Sequence, residues 1–204
     1  METVIQKAVE LGASAIVPVA SSRCVVKLDA KKAEAKTRRW NAIARSAAEQ
    51  SKRMVIPEVS QVLSLTEALE LCVSDLPHPQ AGALRRPALA EPEPAPREAY
   101  VPLPVEGSAS VPAEGLEGQK RTPPVLLMPY ENAEGMEKTR KLLQSIEPGR
   151  DVYILIGPEG GFSDEEVTMA KEAGFETITL GKRILRTETA GLATLAMLIF
   201  VLEE

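Results

Sequence analysis

Apolar residues recur at Val4, Ile5, Ala8, Val9 and Leu11, the spacing of one helix face, and Gly12 stops the run. The next apolar stretch, AIVPVAS, is short and dense, as a buried strand is. SSRCVVKL continues it as a loop or edge strand. Asp29 can then cap a long helix running to about Gln50, with Trp40, Ile43, Ala44 and Ala47 on its inner face. Ser64 and Glu67, three apart, have the spacing of a capping box and open a further short helix. Beyond residue 124 the two periods alternate: VLLMPYE as a strand, a helix around 136–145, VYILIG as a strand, a helix over 164–173 stopped by Gly174, ETITLG as a strand, and a last helix that is apolar from Ala190 to Leu202. A parallel strand pair needs a long crossover, which usually becomes a helix. The pattern therefore predicts an α/β fold, a mostly parallel sheet with helices on both faces.

One stretch breaks the alternation. Over 76–124 prolines crowd in, alanine, glycine and glutamate fill the gaps, and no apolar period survives, which predicts a disordered insertion. It separates an amino-terminal half, 1–75, from a carboxy-terminal half, 125–204, of one domain. The 204 residues, 44% hydrophobic and 26% charged, suffice for a buried core. The formal charge of -5 argues against a chain held to nucleic acid by bulk positive charge, so an RNA partner would have to be met by a local basic patch. Cys24 and Cys72 stand far apart with no metal-cage or redox spacing, as reduced thiols of a cytoplasmic protein would. The only histidine, His78, falls in the proline-rich stretch, which makes a histidine metal site or a Ser-His-Asp triad a poor expectation. There is no signal-peptide layout, and the apolar carboxy-terminal run is too short to span a bilayer. It reads as a buried helix.

In open α/β sheets ligands sit beyond the carboxyl ends of the strands. The three exit loops here read MPYEN, GPEGGFS and GKRILRTET. In the second, Gly157, Gly160 and Gly161 would let a ligand approach the main chain, Pro158 stiffens the path, and Ser163 with Glu166 forms another capping box. The phosphate-loop and dinucleotide fingerprints are both missing, and Glu159 would repel a polyphosphate. An adenosine, a positive centre or both would suit the loop better. The third loop repeats the plan and adds Arg183, Arg186 and Glu188 just before the apolar helix.

LIGPEGGFSDEEV followed by LGKRILRTETA closely resembles the SPOUT class of methyltransferases, specifically the family that methylates the ring nitrogen N(3) of a uracil in 16S ribosomal RNA. IQKAVELGASAIVPVASSRCVVKL and RWNAIARSAAEQSKR resemble that family too, so the likeness covers nearly everything but the proline-rich stretch. It implies a carboxy-terminal deep trefoil knot, an exception to the rule against knotted chains. It also implies a homodimer with sites at the subunit interface and the last helix as its seam, and S-adenosylmethionine as cofactor. The residues implied to bind that cofactor are Met128, Tyr130 and Glu131 in the first loop, then Ile156, Gly157, Pro158, Glu159, Gly160 and Gly161 in the second. The third loop, 180–189, would contribute Leu180, Gly181, Ile184, Leu185, Arg186 and Thr189.

The implied chemistry needs no enzyme nucleophile. The methyl group is already activated, the attacker is the substrate's own imide nitrogen, and the protein must align the two and manage charge. Arg186 is the first candidate for stabilising negative charge on the uracil carbonyl oxygens, because a guanidinium fork matches them. Glu188 or Glu159 could take the proton, although Glu188 in a first helical turn also stabilises the helix itself. Arg23, Lys52 and Arg53 would meet RNA phosphates. No metal or membrane is implied. The likeness begins after the amino-terminal RNA-binding barrel and first strand that family members carry, neither of which has a counterpart here. Lys182 and Gly191 stand where proline and alanine are expected. A knotted S-adenosylmethionine-binding module without RNA methylation is the alternative reading, and a plain nucleotide-binding fold a weaker one.

Overall fold

The first helix, α1, spans Glu2–Glu10 and buries Ile5, Ala8 and Val9, the stripe its spacing predicts. In the computed structural model, residues 1–24, 29–74, 122–133 and 135–202 are described. The expected insertion, apart from its last three residues, and His78 lie outside the described residues, as do Val25 to Leu28. The described residues up to Ser74 and from Pro123 onward gather into one unit.

AIVPVAS becomes two short strands, β1 (Ala15–Ile16) and β2 (Val19–Ala20). The expected single strand is split because Pro18 has no N–H to give to a ladder. Each half finds its own parallel partner: β1 pairs with β3 (Glu58–Val59) and β2 with β4 (Leu63–Ser64). These two partners are absent from the sequence reading, since two residues are too few to show a period. Between β2 and β3 runs α2 (Ala30–Gln50), started by Asp29, whose carboxylate accepts from the Lys32 amide at 2.8 Å. Trp40, Ala44, Ala47 and Ala48 of α2 close on Ile5, Val9 and Val59 as one core. The capping box at Ser64 and Glu67 is formed and opens α3 (Leu65–Val73).

The second half holds a three-stranded parallel sheet in the order β6-β5-β7, with β5 at Val125–Pro129, β6 at Val152–Ile154 and β7 at Glu176–Ile178. Because side chains alternate along a strand, central β5 serves two cores. Leu126 and Met128 face Leu65 and Leu69 of α3 and Val167 and Ala170 of α5 (Asp164–Glu172). Leu127 faces the other way, with Ile178, toward Leu143 of α4 (Met136–Gln144) and Leu198 of α6 (Thr187–Leu202). Helices thus cover both faces of this sheet, and the α/β expectation holds. Helix α6 also packs against α1, joining the two halves of the chain.

Helix α6 departs from its reading as a buried helix. Only Thr194 and Leu198 of its sixteen residues are buried, and Phe200 is 86% exposed. A helix apolar all round has no face made for water. Among the described residues no helix is long and apolar enough to cross a membrane.

Candidate functional site

All three strands of the larger sheet end at the same edge, and the loops that leave them enclose one cleft. The ladder fixes the loop stems. The Tyr130 amide donates to Ile178 O at 3.0 Å just past β5, and the Leu155 amide to Leu127 O at 2.9 Å just past β6. After β7 the buried Thr179 is held from below, its amide donating to Oγ1 of Thr139 on α4 at 3.1 Å. The cleft is lined by Tyr130 and Glu131 from the first loop, by Ile156, Gly157, Pro158, Gly161 and Phe162 from the second, and by Thr179 through Leu185 from the third. Pro129 at the end of β5, with Thr187 and Ala190 at the start of α6, completes it.

The glycines of the second loop are needed by the protein itself. A Cβ at Gly157 would stand 3.1 Å from the Phe162 ring, and one at Gly160 would stand 3.3 Å from Cβ of Arg23. Gly161 has φ +66, the left-handed region that glycine enters without steric cost. Its amide closes a turn on Pro158 O at 2.9 Å. The expected reason for these glycines, close approach of a ligand, is therefore joined by packing at two of them and backbone conformation at the third.

From the loop the chain enters α5 through the predicted capping box of Ser163 and Glu166. Glu166 does more than cap. One carboxylate oxygen accepts from the Ser163 amide at 2.9 Å and the other from the Ser22 amide at 2.8 Å, tying the exit of β2 to the loop. Burial raises the carboxyl's pKa, but the Ser163 and Ser22 hydrogen bonds and the Arg23 charge outweigh it and hold the group below its ordinary value.

Ten of the residues expected to bind cofactor line the cleft: Tyr130, Glu131, Ile156, Gly157, Pro158, Gly161, Leu180, Gly181, Ile184 and Leu185. Met128 does not. It is wholly buried in the core beneath the loops, because β5 turns this side chain toward α3 and α5. Glu159, Gly160, Arg186 and Thr189 are exposed and lie outside the lining. Arg186 forms no hydrogen bond or ion pair with a described residue through its side chain, and its carbonyl accepts from the Ala190 amide at 2.8 Å, starting α6. Glu188 is half-buried in the first turn of α6.

The three expected RNA cations separate. Lys52 is exposed, with φ 57. Arg53 is turned inward, its guanidinium donating to Val9 O at 2.9 Å, Ala13 O at 2.7 Å and Gly12 O at 3.2 Å. It satisfies carbonyls left over where α1 ends. Arg23 is likewise engaged, as its Nη1 donates to Gly160 O at 3.2 Å and Phe162 O at 3.1 Å. Arg53 and Arg23, both expected at RNA phosphates, thus also donate N–H groups to main-chain carbonyls of the protein itself.

The residues missed lie at the edges of the sequence motifs. Phe162, Thr179 and Ala190 each flank a segment implied to bind the cofactor, while Pro129, Lys182, Arg183 and Thr187 are inside those segments but were not singled out for the cleft. Among the described residues no group of three or more His, Cys, Asp or Glu is placed to hold a metal ion.

A parallel sheet whose three exits build one cleft, with an apolar helix beginning at its rim, defines an α/β domain with a candidate ligand cleft beyond the carboxyl ends of its strands. The family model described as an RNA methyltransferase domain matches residues 1–82 and 114–199, and the chain belongs to that family. It is 32% identical, over 209 aligned residues, to the ribosomal RNA small subunit methyltransferase E of Bacillus subtilis, covering 100% of this chain and 62% of that protein. A putative methyltransferase from Legionella pneumophila, solved with its cofactor S-adenosylmethionine bound, superposes with a TM-score of 0.65 at 28% identity, over 98% of this chain and 60% of that one. The ribosomal RNA small subunit methyltransferase E of Neisseria gonorrhoeae, also bound to S-adenosylmethionine, gives 0.63 at 31% identity, over 99% and 61%. The chain thus spans less than two thirds of the length of these relatives.

Proposed function

We propose that the chain transfers a methyl group from S-adenosylmethionine to N(3) of a uracil in 16S ribosomal RNA. The observation that carries this reading is the meeting, in one cleft, of three strand-exit loops, in a chain whose relatives include ribosomal RNA small subunit methyltransferases. The lining suits the cofactor. Ile156, Phe162, Leu180, Leu185 and Ala190 supply apolar surface for a nucleobase, and Glu131 a carboxylate for a positive centre. The cofactor supplies a methyl group already activated on a sulfonium.

The protein's part is alignment and charge. Arg186, exposed beside the cleft-lining Leu185 and Thr187, is free to meet a uracil that becomes anionic as N(3) loses its proton. Glu188 or Glu159 accepts that proton. Lys52, Lys182 and Arg183 are the exposed cations for RNA phosphates. We read the segment from β5 to α6 as the trefoil knot of the SPOUT class; the β6-β5-β7 order and the return of α6 onto α1 and α4 support it. A second copy covers α6, whose apolar surface and exposed Phe200 are left open in one chain. The setting is cytoplasmic.

The test is to incubate the purified chain with S-adenosylmethionine carrying a labelled methyl group and small ribosomal subunits lacking uracil methylation. Nucleoside mass spectrometry should then find 3-methyluridine in the 16S RNA. Cofactor binding without any methylated nucleoside would defeat the reading.

A further inference from the structure

Arg23 sits on the loop after β2, in the other half of the chain, yet its side chain ends on the cleft loop. Both hydrogen bonds leave one nitrogen, Nη1, and reach the carbonyls of Gly160 and Phe162 at 3.2 and 3.1 Å. Those carbonyls belong to the Gly160–Gly161 and Phe162–Ser163 peptide planes, on either side of the plane that links Gly161 to Phe162. Each plane is held again at its other end: the Gly161 amide donates to Pro158 O at 2.9 Å, and the Ser163 amide to Glu166 Oε2 at 2.9 Å. Glu166 in turn takes the Ser22 amide at 2.8 Å, next to Arg23. The result is a closed arrangement in which the β2 exit grips the loop at two carbonyls and is gripped by α5 through one carboxylate.

Gly161, between the two fixed planes, lines the cleft, and a Cβ placed on it would lie 3.7 Å from Glu131 Oε1. Its left-handed φ makes the route through it one of several a glycine can take, so something must select that route. Hydrogen bonds to a charged donor are the stronger kind, and two of them, on the planes before and after the Gly161–Phe162 link, leave the loop little freedom.

We propose that Arg23 is a positioning residue for the cofactor: it sets the 160–163 main chain in the binding conformation before the ligand arrives and does not itself touch RNA. The inference rests on the reading of this cleft as the S-adenosylmethionine site. Preforming a loop removes an ordering cost from binding, so loss of the strap appears as weaker affinity.

The experiment compares the full chain with Arg23→Gln and Arg23→Lys. Calorimetry with S-adenosylmethionine should show affinity reduced about tenfold in Arg23→Gln, the scale of one net charged hydrogen bond in a half-exposed place. Arg23→Lys should recover most of it, since a single ammonium nitrogen can serve both carbonyls as Nη1 does. Hydrogen exchange in the ligand-free proteins should show the Gly161 and Ser163 amides exchanging faster in Arg23→Gln, with the amides of α1 and α2 unchanged. Unaltered exchange at those two amides, or unaltered cofactor affinity in Arg23→Gln, would overturn the proposal. A parent chain that binds no S-adenosylmethionine would instead sink the functional reading, while the exchange measurement would still decide whether Arg23 straps the loop.

Discussion

The two glycine loops of the cleft share a plan, strand then glycine then helix, and use it in opposite ways. The loop over 157–163 is tied down by the protein: Phe162 packs beside Gly157, Arg23 holds two carbonyls, and Glu166 holds the exit. The loop over 180–186 is anchored only at its stem and end, by Thr179 Oγ1 accepting from the Gly181 amide at 3.3 Å and by the Arg186 carbonyl at the start of α6. Between those points Lys182, Arg183 and Arg186 are exposed and Ile184 is 84% exposed. One loop spends its polar groups inside the molecule and makes a preformed wall. The other leaves its cations exposed, without an ion pair among the described residues. A wall that must be in place before binding and charges that must meet a substrate are best not put on the same residues, because a cation already paired within the protein loses its hold on a partner.

That contrast can be broken most sharply at the open loop. Arg186→Ala should lower methyl transfer by about a hundredfold or more while leaving cofactor affinity nearly unchanged, as expected when a donor acts mainly on charge developing in the transition state. Arg186→Lys should restore only part, since an ammonium cannot offer the planar fork. Single-turnover rates beside calorimetric affinities check it, and equal losses in both would make Arg186 part of the cofactor wall. At the tied loop the order of effects reverses. Gly157→Ala must displace the Phe162 ring and should cost about 1–3 kcal/mol of stability, the usual range for overpacking, with cofactor affinity falling alongside. Denaturant unfolding with and without cofactor measures both.

A smaller effect separates the loops by pH. The Glu166 carboxyl has its pKa lowered in the folded chain from the ordinary 4.5, so its contribution is complete above that value and is lost as pH falls through the lower, folded value. Glu166→Gln should melt about 2–4 °C below the parent at pH 7, the shift that about 1 kcal/mol of lost capping produces in a chain of this size. That gap should close as the pH is lowered beneath 4.5. A gap of constant size from pH 7 to 3 would mean that the charge on Glu166 is not what holds the loop. The smallest change concerns the apolar helix. Phe200→Glu should leave the melting of a single chain within about 0.5 kcal/mol, as exposed substitutions do. If a second copy covers α6 as proposed, light scattering should nevertheless report dimers for the parent and monomers for Phe200→Glu.

Much of this was legible before any coordinates. The caps at Asp29, Ser64 and Ser163 are read from residues next to the backbone groups they satisfy, so local sequence is enough. Trp40, Ala44 and Ala47 fall on one face because a helix repeats every 3.6 residues, whatever it packs against. The exit loops were found for a similar reason, as runs of glycine, proline and charge between periodic elements. The short strands β3 and β4 had no such signal, since their ladders are made with residues some forty positions away.

What the sequence determined by itself was thus the kind and order of most elements and the three segments that enclose the cleft, because helix period, caps and turn chemistry act over a few residues. The tertiary structure decided what individual polar side chains do. Arg23, Arg53 and Lys52 are all cations near loops in the sequence. Only folding brings Gly160 and Phe162 to the first, and sets Val9 O near the end of α1 and Ala13 O just past it against the second while leaving the third exposed. A charge takes its role from whichever partner lies within about 3 Å, and residues 137 and 44 positions apart become partners only through the packing of the whole chain.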